Sequence, residues 1–146
     1  MFLTNRPIEL SELVREVSRP ELGGIAVFLG AVRNHHEGKP VLGIEYSAYS
    51  AMAESVCREI VAEATRRWPV QVDLRHRLGE LVPGDPAVGV VAAGAHREEA
   101  FAACRYVIEE LKRRVPIWKR ERYADGTTEW VDPTRGLAGA VGGAPA

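Results

Sequence analysis

The sequence has few cysteines, little net charge and no long hydrophobic run. Its 146 residues include two cysteines, and 20 acidic side chains nearly balance 19 basic ones. Cys57 and Cys104 are far apart and form no CxxC pair, which argues against a disulfide framework or a redox pair. Near-neutral charge argues against a general nucleic-acid binder, which carries a strong basic excess. Because no long apolar run follows Met1, we expect no signal peptide, no membrane span and a cytoplasmic location.

The sequence also lacks the common motifs of hydrolytic, nucleotide-binding and metal sites. It contains no GxSxG, no P-loop lysine motif and no GxGxxG. His35 and His36 lack the i, i+4 spacing of a helical metal pair, and His76, in a predicted strand among arginines, is interpreted as structural. Both cysteines fall on apolar stripes of predicted helices, where cysteine is usually a small core residue. We therefore expect neither a bound metal nor a catalytic thiol.

Hydrophobic periodicity predicts an alternation of helices and strands along the chain. Helical spacing covers residues 8–17, 51–68 and 98–114, and strands are predicted at 24–29, 41–49, 70–75, 87–93, from 117 onward and around 129–131. Residues 34–40 are polar, with Gly and Pro, and are predicted to form a loop that covers the site. This order favours one α+β domain over residues 1–135 with a mostly antiparallel sheet. The Gly/Ala-rich tail, residues 136–146, is predicted to be disordered.

The most informative feature is a cluster of cations on both sides of Pro116. Pro116 separates a predicted helix that ends near Lys112 from an extended segment that carries Lys119, so the two lysines could face one pocket. Neighbouring cations lower the proton affinity of each lysine. This arrangement indicates a site for an anionic substrate. The cluster consists of Lys112, Arg113, Arg114, Lys119, Arg120 and Arg122.

Each candidate cation also has a plainer interpretation. Lys112 alone is a favourable charge at a helix C-terminus, and Lys119 on a strand could simply face solvent. Arg33 follows a predicted strand and could be a loop charge. His96 and Arg97 precede a predicted helix, where they form either an anion site or a polar helix start. The case for a site depends on all of these residues lying at the ends of elements, where sites are usually built.

Five separated blocks of sequence carry a resemblance to a known family. They are FLGAVRNH (28–35), EYSAYSAMA (45–53), HRLGEL (76–81), AHREEAF (95–101) and Leu111-Lys112 followed by PIWKRE (116–121). In this order they resemble the large, catalytic subunit of molybdopterin synthase, over about residues 23–131. PIWKRE closely after a helix that ends in Leu-Lys is the most specific of the five.

The resemblance implies an α/β hammerhead fold with additional antiparallel strands. Members of that family convert cyclic pyranopterin monophosphate into molybdopterin by installing the two dithiolene sulfurs. Each sulfur arrives as the C-terminal thiocarboxylate of a small ubiquitin-like carrier subunit, whose Gly-Gly tail enters the pocket of the large subunit. The implied assembly is a heterotetramer with a central dimer of large subunits. No permanently bound cofactor, metal, nucleic acid or membrane partner is implied.

The resemblance also implies which residues act. Lys119 and Lys112 would be the catalytic pair. Lys119 is expected at the attack step, as a proton donor or a transient covalent link, and Lys112 is expected to help open the cyclic phosphate or to stabilise the developing anion, although the two roles are open to exchange. Arginine suits the phosphate through its planar fork. The implied substrate-binding set, parts of which could reach across the dimer, is Ala31, Val32, Arg33, His96, Arg97, Lys112, Lys119, Arg120 and Glu121.

Two alternatives to an active synthase subunit remain at the level of sequence. One is an RNA-binding module in which Trp118 stacks on a base among the cations, and the overall charge balance argues against it. The other is an inactive scaffold that only docks the carrier. The presence of Lys112, Lys119 and Arg33 argues against that reading.

Overall fold

The computed structural model describes residues 1–131, and within them it contains three helices and nine strands. The predicted tail at 136–146 and the predicted domain end at 132–135 lie outside the described residues. The helices are α1 (Leu10–Val17), α2 (Ser50–Arg67) and α3 (Arg97–Arg114). The strands are β1 (Leu3–Thr4), β2 (Gly24–Ala31), β3 (His35–His36), β4 (Lys39–Ala48), β5 (Val70–Arg77), β6 (Gly79–Leu81), β7 (Pro86–Gly94), β8 (Ile117–Tyr123) and β9 (Thr128–Val131).

The first sheet carries the main core and has the strand order β1-β5-β7-β2. Its central strand β7 is covered on both faces, which explains an apolar run without polar alternation. Val91 and Ala93 face α1, whereas Val90 and Ala92 face the cluster formed with α2 and α3. The β1–β5 pair is parallel, and β5–β7 and β2–β7 are antiparallel.

The second sheet has the strand order β3-β4-β8-β9, and β6 also pairs with β4. All four of its strand pairings are antiparallel. Tyr46 of β4 lies directly opposite Lys119 of β8, so these side chains share one face of the sheet. The prediction of an α+β fold with a mostly antiparallel sheet is confirmed. No helix within residues 1–131 combines the length and apolarity needed to cross a membrane.

Residues 34–40 form a hairpin, so the prediction of a loop there is wrong. His35 pairs with Pro40 and His36 with Lys39. The turn places Glu37 at φ 49° and Gly38 at φ 79°, and two successive positive φ values are the requirement of a tight hairpin turn. Glu37 is an unusual residue at such a position, so the sequence signal was weak. The short strands β1 and β6 were not predicted either.

Strand β2 is an edge of the first sheet with an uncovered apolar face. Ile25, Val27 and Leu29 lie opposite Ala93, Val91 and Gly89 of β7, on the side of the sheet where α1 packs. Because α1 packs across β5 and β7, it leaves these three side chains exposed. An exposed apolar edge strand is a template for pairing with another strand.

Candidate active site

Two adjoining cavities lie where the C-terminal end of β2 meets the last turn of α3 and the start of β8. They have volumes of about 120 Å³ and 140 Å³. Four residues line both of them: Ala31, Tyr46, Lys112 and Lys119. The first cavity is otherwise mainly apolar and includes His76. The second is polar and contains Arg33, His35, His36 and Glu121.

The chain brings Lys112 and Lys119 together by ending one element and starting another. Helix α3 ends at Arg114, and Val115 at its C-cap has an extended conformation. Pro116 cannot continue the helix, and β8 starts immediately afterwards. Lys112 thus projects from the last helical turn, and Lys119 from the third residue of the strand.

Glu121 is a buried carboxylate that fixes Lys119. Its side chain is 2% exposed and lies 3.2 Å from the Lys119 Nζ. The Tyr123 hydroxyl donates a hydrogen bond of 2.6 Å to the Glu121 Oε2, and His36 Nδ1 lies 3.9 Å from Oε1. A buried carboxylate needs such partners because an unpaired buried charge is costly. The ion pair therefore holds the Lys119 ammonium at the cavity wall.

Lys112 differs from the other cations of the cluster because it has no ion-pair partner within residues 1–131. The side chain is exposed, although the surrounding protein partly desolvates its ammonium. This desolvation is the largest cause that lowers the Lys112 pKa, followed by repulsion from Lys119 and then Arg33. Such an ammonium releases a proton, or gains an anion, more readily than a solvated one. The paired cations are Arg113, Arg114, Lys119, Arg120 and Arg122.

A bulge at the end of β2 shapes the cavity wall beside the lysines. The β2–β7 register shifts between Gly30 and Ala31, after which the Val32 N–H donates a 2.9 Å hydrogen bond to the Asp85 carbonyl. A Cβ at position 30 would lie 2.8 Å from the Val88 side chain, so glycine is required for this close packing. The bulge directs the chain so that Ala31, Val32 and Arg33 line the polar cavity.

Three residues of the predicted set lie away from these cavities in the single chain. Arg120 faces the opposite side of β8 from Lys119, where it lies 2.7 Å from Glu45 and stacks on Trp130. His96 and Arg97 lie at the other end of α3. Lys112 lies fifteen positions after Arg97, which corresponds to about 22 Å along a helix.

Four polar cavity residues were not predicted as site residues: His35 and His36, and the packed pair Tyr46 and His76. The rings of Tyr46 and His76 meet edge to face, with centroids 5.0 Å apart and planes at 72°. Burial, and then the charge of Glu121, raises the pKa of Tyr46 to about 12. Burial is the main cause that lowers the pKa of His76 to about 4, and a nearby Lys112 lowers it further. Tyr46 lies in the sequence block 45–53 and His76 in the block 76–81. Their place in these family-like blocks was the sequence signal that could have identified them.

The two cysteines are buried within helices α2 and α3, and neither lines a cavity described above. Burial raises the pKa of Cys57 to about 12 and that of Cys104 to about 11. A thiol with a raised pKa forms little of the reactive thiolate. Within residues 1–131 no group of three or more His, Cys, Asp or Glu side chains is arranged to hold a metal ion.

Comparison with known proteins identifies the family. The family model described as MoaE protein matches residues 3–114. The chain belongs to the MoaE family. It is 43% identical over 130 residues to the molybdopterin synthase catalytic subunit 1 of Mycobacterium tuberculosis, covering 88% of each chain.

Two solved structures of similar proteins have the same fold as this chain. The X-ray structure of molybdopterin synthase from Staphylococcus aureus matches with a TM-score of 0.85 and 33% identity, over 89% of this chain and 95% of that one. A complex of subunits 1 and 2 of molybdopterin-converting factor from Helicobacter pylori matches with a TM-score of 0.71 and 21% identity, over 90% and 88%. At that identity the second match supports the fold alone.

Proposed function

We propose that this chain is the catalytic subunit of a molybdopterin synthase, a sulfurtransferase of molybdenum cofactor biosynthesis. One observation supports this proposal most strongly. In a member of the MoaE family, Lys112 at the end of a helix and Lys119 on a strand line the same two adjoining cavities. The proposed substrate is cyclic pyranopterin monophosphate. The proposed sulfur donor is the C-terminal thiocarboxylate of a small carrier subunit.

The charges of the site suit two anionic reactants. A cyclic phosphate and a thiocarboxylate both need cations in place of water, and Arg33, Lys112 and Lys119 provide them. We assign Lys119, held by Glu121, to the attack step, because an oriented ammonium can donate a proton at a fixed position. We assign Lys112 to the phosphate or the developing anion, because it has no competing carboxylate within residues 1–131.

The decisive experiment is a sulfur-transfer assay with purified protein. Cyclic pyranopterin monophosphate and thiocarboxylated carrier are supplied, and molybdopterin is read as its fluorescent oxidised derivative. We expect Lys119→Ala to lower kcat by about 100-fold or more, a common size for the loss of a general acid. Arg113→Ala is the matched control, since Arg113 belongs to the same cluster but is paired with Glu110 on the exposed helix surface. Carrier binding without turnover in the unaltered protein would instead favour a docking scaffold.

The proposed partner is a small sulfur-carrier subunit with an extended Gly-Gly tail. A relative that is 43% identical is named a catalytic subunit of molybdopterin synthase, which supports a second kind of subunit as partner. The adjoining cavities offer the tail a path to both lysines. We propose an assembly of two large and two small subunits, and light scattering of the purified complex would give its mass. The cytoplasmic location expected from the sequence stays a prediction.

We propose that β2 forms the contact between the two large subunits. Its exposed side chains Ile25, Val27 and Leu29 give the edge an apolar face, and its outer backbone groups have no strand partner within residues 1–131. Two-fold symmetry would pair two copies of β2 antiparallel. The start of one β2 would then lie beside the end of the other.

This pairing would supply the residues that are missing from the site in one chain. Gly24 at the start of β2 touches His96 and Arg97, since a Cβ there would lie 3.1 Å from the Arg97 nitrogen. Ala31 at the other end lines the cavities. An antiparallel pair therefore carries the partner subunit's His96 and Arg97 toward the cavity that contains Arg33. We propose that both residues bind substrate across the dimer.

A further inference from the structure

His76 lines the first cavity with one ring nitrogen already engaged and the other available. The residue is 6% exposed. Its Nδ1 lies 2.9 Å from the carbonyl oxygen of Arg77. A carbonyl oxygen can only accept a hydrogen bond, so Nδ1 must carry the proton. In the neutral ring, Nε2 is then a lone-pair acceptor.

The surroundings of His76 hold this tautomer and orientation. The Tyr46 ring packs edge to face against the imidazole, and the His76 backbone N–H donates a 2.8 Å hydrogen bond to the Phe2 carbonyl. Burial and the nearby Lys112 keep the ring neutral, with a pKa of about 4. The only hydrogen bond that the side chain makes within residues 1–131 is the one to Arg77.

His76 offers a neutral ring nitrogen as an acceptor in the first cavity, whose other polar side chains are Tyr46, Lys112 and Lys119. The ammonium groups of Lys112 and Lys119 are hydrogen-bond donors when charged, and they suit anionic parts of a ligand. Val88, Leu111 and Ile117 give this cavity apolar walls. Nε2 has no hydrogen-bond donor within residues 1–131, so it can accept a hydrogen bond from a ligand. A ligand that carries an N–H group would provide that donor.

We infer that His76 is a substrate-recognition residue whose Nε2 accepts a hydrogen bond from a ring N–H of the bound substrate. This inference rests on the proposed function, because the reduced pterin ring of the proposed substrate carries N–H donors whereas the cyclic phosphate of that substrate does not. The cations would hold the phosphate, and His76 would select the heterocycle. A ligand with an ether oxygen in place of the N–H would be rejected, because two acceptors would face each other.

The first test observes the unaltered protein by ¹⁵N NMR of its histidine rings. Accepting a hydrogen bond moves the resonance of an unprotonated ring nitrogen upfield. We expect cyclic pyranopterin monophosphate to move the Nε2 resonance of His76, and sulfate, which has no donor, to leave it in place. If the substrate binds without this change, or sulfate produces the same change, the inference is wrong. Failure of the substrate to bind at all would contradict the proposed function itself.

The second test separates recognition from support of the fold. His76→Leu removes the acceptor, whereas His76→Gln keeps an oxygen near the position of Nε2. We expect the leucine variant to raise KM about 10-fold with kcat little changed, the size of one lost hydrogen bond, and the glutamine variant to recover most of it. Leu74→Val is the matched control, because Leu74 is buried on the same face of β5. Equal effects of all three substitutions, or a KM unchanged in His76→Leu, would show a structural role only.

Discussion

Mixing two inactive variants tests whether the active site is shared between subunits. Arg97→Ala and Lys119→Ala should each abolish most sulfur transfer, for different reasons. Within one chain Arg97 is about 22 Å of helix away from Lys112, so our proposal requires it to reach the cavities from a second copy. In a mixed dimer, one site then combines an intact Lys119 with an intact Arg97 of the partner subunit. The other site carries both substitutions.

The expected recovery follows from counting sites. Random exchange of equal amounts gives about one half mixed dimers, and a two-fold dimer has two equivalent sites. One active site in each mixed dimer restores about 25% of the unaltered activity, measured as fluorescent molybdopterin after co-refolding or co-expression. Mixing Lys119→Ala with Lys112→Ala is the control and should restore nothing, because both lysines belong to one chain's site. Recovery in that control, or none in the first mixture, would refute the shared site.

Three further predictions concern the charged groups. Glu121→Gln should lower kcat by about 10- to 100-fold, because the lost ion pair no longer positions Lys119, and a KM change without a kcat change would contradict this. Lys112→Met should abolish turnover yet raise Tm, because it removes a charge that the fold partly desolvates. Because the fold lowers the pKa of Lys112, the charged lysine destabilises the fold at pH values below that pKa. The destabilisation fades as pH rises toward 10.5. An unchanged Tm of the methionine variant at pH 7 would refute this prediction. Glu63→Gln should cost about 1 kcal/mol at pH 7, because Arg114 and then Tyr106 lower the Glu63 pKa to about 2. That stability is present above the ordinary pKa of 4.5 and is lost as pH falls toward 2, so urea unfolding of both proteins should converge in acid.

The sequence predicted the helices and the longer strands because each carries its own local pattern. The apolar spacing of α3 and its terminal charges required no knowledge of the rest of the chain. Pro116 also fixed the break between Lys112 and Lys119. The structure places Arg120 and Lys119 on opposite faces of β8, although the family resemblance grouped them. Short elements carry too few residues for such a pattern, and the hairpin turn at Glu37 and Gly38 was missed for that reason.

By itself, then, the sequence determined the elements, the cluster of cations and the family resemblance. The tertiary structure decided which side chains share a cavity, because pairing register and helix placement arise from contacts far apart in the chain. Register set Tyr46 opposite Lys119, and packing between the two sheets brought His76 against Tyr46 in the same cavity. The tertiary structure also buries Glu121 beside Lys119, where its carboxylate forms an ion pair with the lysine ammonium. The separation of His96 from Lys112 follows from the length of the predicted helix, whereas the cavity that Lys112 shares with His76 could arise only from packing between distant parts of the chain.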